Sequence, residues 1–245
     1  MIGLKNIKLS IFHYIKNIAL PQMGYTYDVT EDTLEEVTVG SNVYSFGYSN
    51  IAYCDPSGRI DPSGVNIYDV DRLLDHGEYS VNYIENTVTL NAEPSGSVTA
   101  DYKAHAITVM DAFPTGEVFE TADLPIVSVE IDESTDSPFA IGTNENFWDI
   151  LIFFDIFAIN DGQRMDLRDC IQKSLKGSIP IIDFSSQVPL NYDGTINENF
   201  NLDNQTMVYR RFRARTVGRN TESPTAAPEK ERWRAIVRGI LRVIS

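Results

Sequence analysis

Two acids, Asp149 and Asp155, sit inside the apolar run "WDILIFFDIF". Carboxylates in an apolar wall are the material of general acid–base chemistry, because burial moves their pKa toward neutrality. A second set, Asp55, Asp61 and Asp69, lies in and after two "DPSG" repeats. Those carboxylates offer oxygen ligands to a hard cation, and hence a metal-dependent hydrolase reading. A third set, Asp161, Asp166 and Asp169, clusters after "NDG". A fourth, Tyr44, Phe46, Tyr48 and Tyr53, has the faces to stack on sugar rings.

Each set also has a purely structural use. The "DPSG" spacing matches no EF-hand loop, having no D-x-[DN]-x-[DN]-G and no closing Glu, whereas Asp-Pro-Ser-Gly is a good β-turn. Acids in a first helical turn complement the helix dipole, and Asn160 or Asp161 can cap it. Aromatics alternating at period two are what a buried β face produces. The three histidines (His13, His76, His105) are scattered, so neutral-pH proton transfer has few candidates. No nucleophile elbow, GxGxxG, P-loop or basic–aromatic stripe occurs. Cys54 and Cys170 lack zinc-ligand spacing, form no disulfide framework and fit a reducing compartment. These features point away from an enzyme, with no cofactor and no metal expected.

The elements that must position Asp149 and Asp155 sharpen the reading. As a strand, Trp148, Ile150, Ile152, Phe154, Ile156 and Ala158 form one wholly apolar face. The other face carries Asp149, Leu151, Phe153, Asp155, Phe157 and Ile159, apolar and acidic at once. A subunit interface with arginine partners fits that composition better than a second core face or an active site. The candidate interface residues are Asp149, Phe153, Asp155 and Phe157, with Arg211, Arg213, Arg215, Trp233, Arg234, Arg238 and Arg242 as the basic side.

Charge supports such docking. The 245 residues hold 35 acids and 20 basic residues, net −15. Residues 209–245 carry ten basic residues against three acids, which leaves −22 over residues 1–208. An acidic body repels nucleic acid, and a basic tail is suited to self-association.

Around that segment the chain changes texture three times. Residues 1–24 hold an amphipathic helix, with Ile2, Leu4, Ile7, Ile11, Tyr14, Ile15 and Ile18 on one stripe and Pro21 ending it. Lys8, His13 and Lys16 interrupt the apolar run, which argues against a signal peptide. Residues 25–113 alternate short β-prone runs with turn formers, an inserted all-β sandwich or small barrel in which "YSVNYIENTVTL" reads as a hairpin. Residues 114–217 read as strand, polar loop (132–146), long strand, helix, short strand, a second polar loop (185–205) and a last strand. Residues 218–245 form a basic arm, a linker followed by "RWRAIVRGILRVIS". Trp233, Ile236, Val237, Ile240, Leu241 and Ile244 fit helical spacing there; a strand reading also alternates, and Gly239 weakens the helix. No apolar stretch approaches the ~20 residues that span a bilayer, and no membrane is expected.

The wording "LPIVSVEI … PFAIGTNENFWDILIFFDIFAINDGQRMDLRDCIQKSLKGSIPIIDF" resembles the tail-terminator and neck proteins of tailed bacteriophages. The likeness covers residues 1–20 and roughly 120–217; residues 25–113 depart from it as an inserted β-domain. It implies an α+β fold, a tail-terminator-like mixed sheet with flanking helices. It further implies a homo-oligomeric ring, commonly a hexamer, that ends the tail tube or sheath and meets the head connector. Genomic DNA would pass through its lumen without sequence-specific binding. The place of action would be the virion, assembled in the host bacterial cytoplasm. The alternative is a carbohydrate- or receptor-binding β-module on an α+β base.

Overall fold

The computed structural model describes residues 3–115, 122–138, 146–175, 179–184, 188–202, 206–215 and 233–244. The chain is a mixed α+β protein that divides into two compact units. One comprises residues 1–23, 107–184 and 202–245; the other comprises 24–106 and 185–201.

The first unit begins with helix α1 (Leu4–Tyr14), a π-helical segment (Ile15–Ala19) and a short α2 (Leu20–Gln22). Pro21 does not end the helix at once. Proline has no N–H and its ring crowds the carbonyl four residues back, and a π turn widens the ladder just before such a residue. The N–H of Leu20 accordingly donates to the carbonyl of Ile15. Ile7, Ile11, Ile15 and Ile18 are buried, as their spacing requires. A polar stripe, Ser10, His13 and Asn17, is buried beside them.

The second unit is a sandwich. Its strands are β1 (Thr26–Thr33), β2 (Glu35–Glu36), β3 (Val43–Ser45), β4 (Val65–Asp69), β5 (Arg72–Leu73), β6 (Tyr79–Asn82), β7 (Thr87–Leu90) and β8 (Val98–His105). They form two four-stranded sheets, ordered β1-β8-β4-β5 and β2-β3-β7-β6. The hairpin read in the sequence is β6–β7, with Tyr79 opposite Leu90 and Val81 opposite Val88. Tyr44, Phe46, Tyr53, Val65, Ile67, Val88 and Tyr102 share one buried core. The unit closes at Ala106 rather than 113 and also takes in residues 185–201. That second loop joins because Leu190 and Ile196 pack on the sandwich core and the Tyr83 N–H donates to the Gly194 carbonyl at 3.0 Å.

The chain then returns to the first unit through β9 (Thr108–Met110), β10 (Ile126–Pro138), β11 (Asn146–Phe157), helix α3 (Asp161–Ser174), β12 (Ile179–Ile181), β13 (Thr206–Arg215) and β14 (Arg234–Ile244). One sheet results, ordered β12-β13-β14-β11-β10-β9, antiparallel except for the β9–β10 pair. The stretch 132–146 is expected as a polar loop, yet its described residues, 132–138 and 146, are strand: Ser134 to Pro138 pair with Ile150 to Asn146. A main-chain ladder needs no apolar side chains, so polarity alone did not exclude strand there.

The last segment corrects the helical expectation. Arg234–Ile244 is a strand that pairs with β11 on one side and β13 on the other. As a strand it places Ala235, Val237 and Leu241 on the buried face and Arg234, Ile236, Arg238 and Ile240 on the other. The tertiary reason is the ladder: without β14, the long β11 would leave one edge of polar main-chain groups unpaired. The expected linker at 218–231 lies outside the described residues.

Helix α1 contacts β10 and β12, and α3 contacts β11, β13, β14 and the π segment. Leu167, Cys170, Ile171 and Leu175 are buried on and just after α3, while Met165 is exposed. No helix among the described residues is long and apolar enough to cross a membrane.

Candidate interaction surface

Strand alternation divides β11 as its sequence requires. Ile150, Ile152, Phe154, Ile156 and Ala158 are fully buried on the helix-covered face. On the outer face, Asp149, Leu151 and Phe153 are half-buried, and Asp155 and Phe157 are buried. The side chain of Trp148 lies outside the described residues.

Register sets the partners of that outer face. Across β14, Arg234 stands opposite Phe157, Ile236 opposite Asp155, Arg238 opposite Phe153, Ile240 opposite Leu151 and Arg242 opposite Asp149. One strand further, Arg215, Arg213, Arg211 and Tyr209 stand opposite Ile236, Arg238, Ile240 and Arg242. The side chains of Arg211, Arg213, Arg215 and Arg242 lie outside the described residues, so only their strand positions are given. Trp233 lies in the turn before β14, half-buried.

Asp155 is ion-paired within its own chain. Arg234 donates to its Oδ1 from Nε at 2.8 Å and from Nη2 at 2.5 Å. The guanidinium lies 5.0 Å from the ring centroid of Phe113 and 5.5 Å from that of Phe157. Burial raises the Asp155 pKa, and Glu130 adds to the rise; the hydrogen bond and charge of Arg234 oppose it, with Arg238 also lowering it. The net direction is upward. The close contact to Arg234 argues for the carboxylate form, and burial is the force it must offset.

The Asp155 end of this face is covered by the chain itself. Met110, Phe113, Ala122 and Leu124 pack on Ile126 and Phe157. Glu130 Oε1 accepts the Phe113 N–H at 3.1 Å, tying that cover to β10. Ser128, opposite Asp155, is also fully buried. This corrects the interface assignment of Asp155 and Phe157: both are interior, and the arginine that Asp155 needs comes from the neighbouring strand. Sequence reasoning missed the cover because Phe113 sits in a stretch without period; its aromatic character was the only signal.

The open part of the face lies further along. Arg238 is exposed with its guanidinium 4.6 Å from the Phe153 ring centroid. Ile240 is 44% exposed beside it. A cation over an aromatic ring, next to an exposed aliphatic side chain, has the composition of a docking patch.

The other candidates are engaged locally. Asp55 Oδ1 accepts from the N–H and hydroxyl of Ser57 at 2.8 and 2.6 Å and from the Arg59 N–H at 3.1 Å. Asp61 Oδ1 does the same with Ser63 at 3.1 and 2.7 Å. Asp69 accepts from the Ser95 N–H and hydroxyl and from the Gly96 N–H. The three acids serve three separate turns, and among the described residues no group of His, Cys, Asp or Glu is arranged to hold a metal. Asn160 caps α3: its Oδ1 accepts the Gln163 N–H, and Gln163 Oε1 accepts the Ile159 N–H in return, both at 2.9 Å. Asp161 pairs with Arg164 at 2.6 Å and Asp169 with Arg168 at 2.7 Å. Cys54 and Cys170 are buried, and neither is in a disulfide among the described residues.

Of the aromatic series, Tyr44, Phe46 and Tyr53 are core, while Tyr48 is 48% exposed. Tyr48 meets Tyr27 edge-on, with centroids 5.8 Å apart.

The described fold and surface define an α+β protein whose sheet is helix-covered on one face and open in part on the other. No family model, curated protein or solved structure matches the chain.

Proposed function

We propose that this chain is a structural subunit of a tailed-phage neck, a ring protein of tail-terminator type that ends the tail and joins it to the head connector. The observation that carries the reading is the open part of the outer sheet face, where Phe153, Arg238 and Ile240 form a cation–aromatic–aliphatic patch. Its composition suits protein docking rather than bond-making chemistry. The order helix, short strand, two long strands, helix, short strand and two further long strands, interrupted after the first helix by a β-sandwich, is in keeping with it. A net charge of −15 suits a lumen through which DNA slides without being held. In this proposal the protein acts in the virion and assembles in the bacterial host cytoplasm.

Mass photometry and negative-stain imaging of the full chain, alone and mixed with purified tails or heads, test this. Closed rings of uniform subunit number, alone or on particles, are expected. A protein that stays monomeric in every mixture overturns it.

One observation favours a second reading, glycan or receptor binding by the sandwich: the exposed Tyr27–Tyr48 pair offers aromatic surface.

A further inference from the structure

We infer that successive copies of this chain dock head to tail, the acidic β1–β2 edge of one copy against the arginine-bearing sheet face of the next. The inference rests on the assembly reading above and assigns the surfaces.

The charge is divided between the two units. The sandwich, residues 24–106 and 185–201, has sixteen acids and three basic residues, net −13, which leaves −2 for the other unit. No Lys or Arg occurs from Tyr25 through Gly58. Within that stretch, β1 and β2 each lie at the outside of their sheet. Asp28, Glu31 and Glu35 are exposed there. Asp32 and Glu36 are engaged at home, with the Gly47 N–H and Tyr102 hydroxyl and with the Gly40 and Asn42 N–H groups. Asp28 has Lys103 at 4.0 Å, an exposed and therefore weak pair.

The edge is built against strand addition. Its register shifts between Val29 and Asp32, and Glu31 has φ 54°. A bulge of this kind twists an edge away from ladder pairing. The edge therefore offers a partner carboxylates rather than main-chain groups.

The receiving strands have the opposite sign: β13 and β14 hold seven arginines and no acid. Arg238 is exposed, Arg213 is its register partner on β13, and Arg211 and Arg242 stand beside Ile240 and Asp149. Ile240 and Phe153 supply apolar area beside Arg238. Apolar side chains beside arginine have the composition of an interface core. A duplex phosphate backbone would meet the same arginines, yet it would also meet a chain of net −15. A second copy brings the complementary charge itself. Because the two surfaces differ, the contact is heterologous, and its repetition closes a ring or extends a filament.

Charge exchange tests the inference on the full chain. One variant carries Arg213→Glu and Arg238→Glu; the other carries Asp28→Lys, Glu31→Lys and Glu35→Lys. Circular dichroism and melting verify that each is folded, and Arg238→Gln alone replaces the first if it is not. Sedimentation at about 0.05 and 0.5 M salt reads assembly. Wild type should assemble and weaken about tenfold or more at the higher salt. Each variant alone should assemble at least about tenfold more weakly than wild type. An equimolar mixture of the two reversed variants should regain assembly, since each then offers the other a complementary pair. For Arg238→Gln alone, a flattened salt dependence supports the inference and an unchanged one overturns it. Wild type that assembles while the reversed mixture does no better than its components overturns the inference and leaves the assembly reading standing. Wild type that never assembles overturns both. Duplex DNA binding lost in the arginine variant, without self-assembly, overturns the choice of partner.

Discussion

Asp155 and Arg234 tie strands β11 and β14 together diagonally. Arg234 faces Phe157 and Asp155 faces Ile236, yet the arginine reaches across to place both donors on Asp155 Oδ1. The carboxylate is 4% exposed, so its partner is the principal source of charge compensation it has.

Removing one member of that pair should cost far more than removing both. Arg234→Met leaves a buried carboxylate without its cation and should destabilise by roughly 3–5 kcal/mol. Asp155→Leu with Arg234→Met should recover most of that loss, because a buried ion pair is often no better than a well-packed apolar pair. Urea denaturation of the three proteins decides; a double variant as unstable as the single would count against the pairing.

His13 makes a pH prediction of definite sign. Burial, with a smaller contribution from nearby Lys16, lowers its pKa from 6.5 to about 4. Well above pH 6.5 neither state is protonated and His13 contributes no slope. As pH falls from 6.5 toward 4, the unfolded chain takes up the proton and the folded chain does not, so stability is lost, up to about 3 kcal/mol. His13→Gln, which keeps a polar side chain near Asn17 but does not titrate, should lack this component. The stability gap between wild type and variant, measured from pH 7 to pH 4, should close or reverse; a gap independent of pH would show that His13 titrates normally.

Asn160 should matter more than an exposed loop residue normally does. Its capping bond to Gln163 satisfies a free N–H at the start of α3. Asn160→Ala should cost about 1 kcal/mol, and Asn160→Ser or Asn160→Asp should restore most of it. Equal stability of the alanine and serine variants in chemical denaturation would remove the cap from the account.

The sandwich tyrosines separate the two functional readings. Tyr44→Ala opens the buried core and should destabilise by about 3 kcal/mol. Tyr48→Ala and Tyr27→Ala should change the melting temperature far less than Tyr44→Ala, since Tyr27 and Tyr48 are 41% and 48% exposed. A glycan array lit by wild type and dark for the two exposed-site variants would favour the carbohydrate reading over the neck reading.

Short-range chemistry was legible from residue order alone. The two "DPSG" turns, the Asn160 cap, the β6–β7 hairpin and the apolar face of β11 depend on neighbours two to eleven residues apart, and each formed where its pattern placed it. The inserted β-unit was legible as a change of texture, although its second piece, 185–201, was not, because Leu190 and Ile196 are too few to set a period.

What the sequence determined by itself was the alternation that puts Asp149 and Asp155 on one side of a strand, and the supply of arginines near the end of the chain. Tertiary structure decided which arginine each position faces. Residues 234–244 fit helical and extended spacing alike, and only the open edge of β11, some eighty residues earlier, makes the strand the form that pairs its main chain. Once β14 docks there, its register carries Arg234 to Asp155 and Arg238 to Phe153. The segment around Phe113 then covers the first pair and leaves the second exposed. Local pattern could not reveal that outcome, because which polar face is buried depends on what else the fold brings against it.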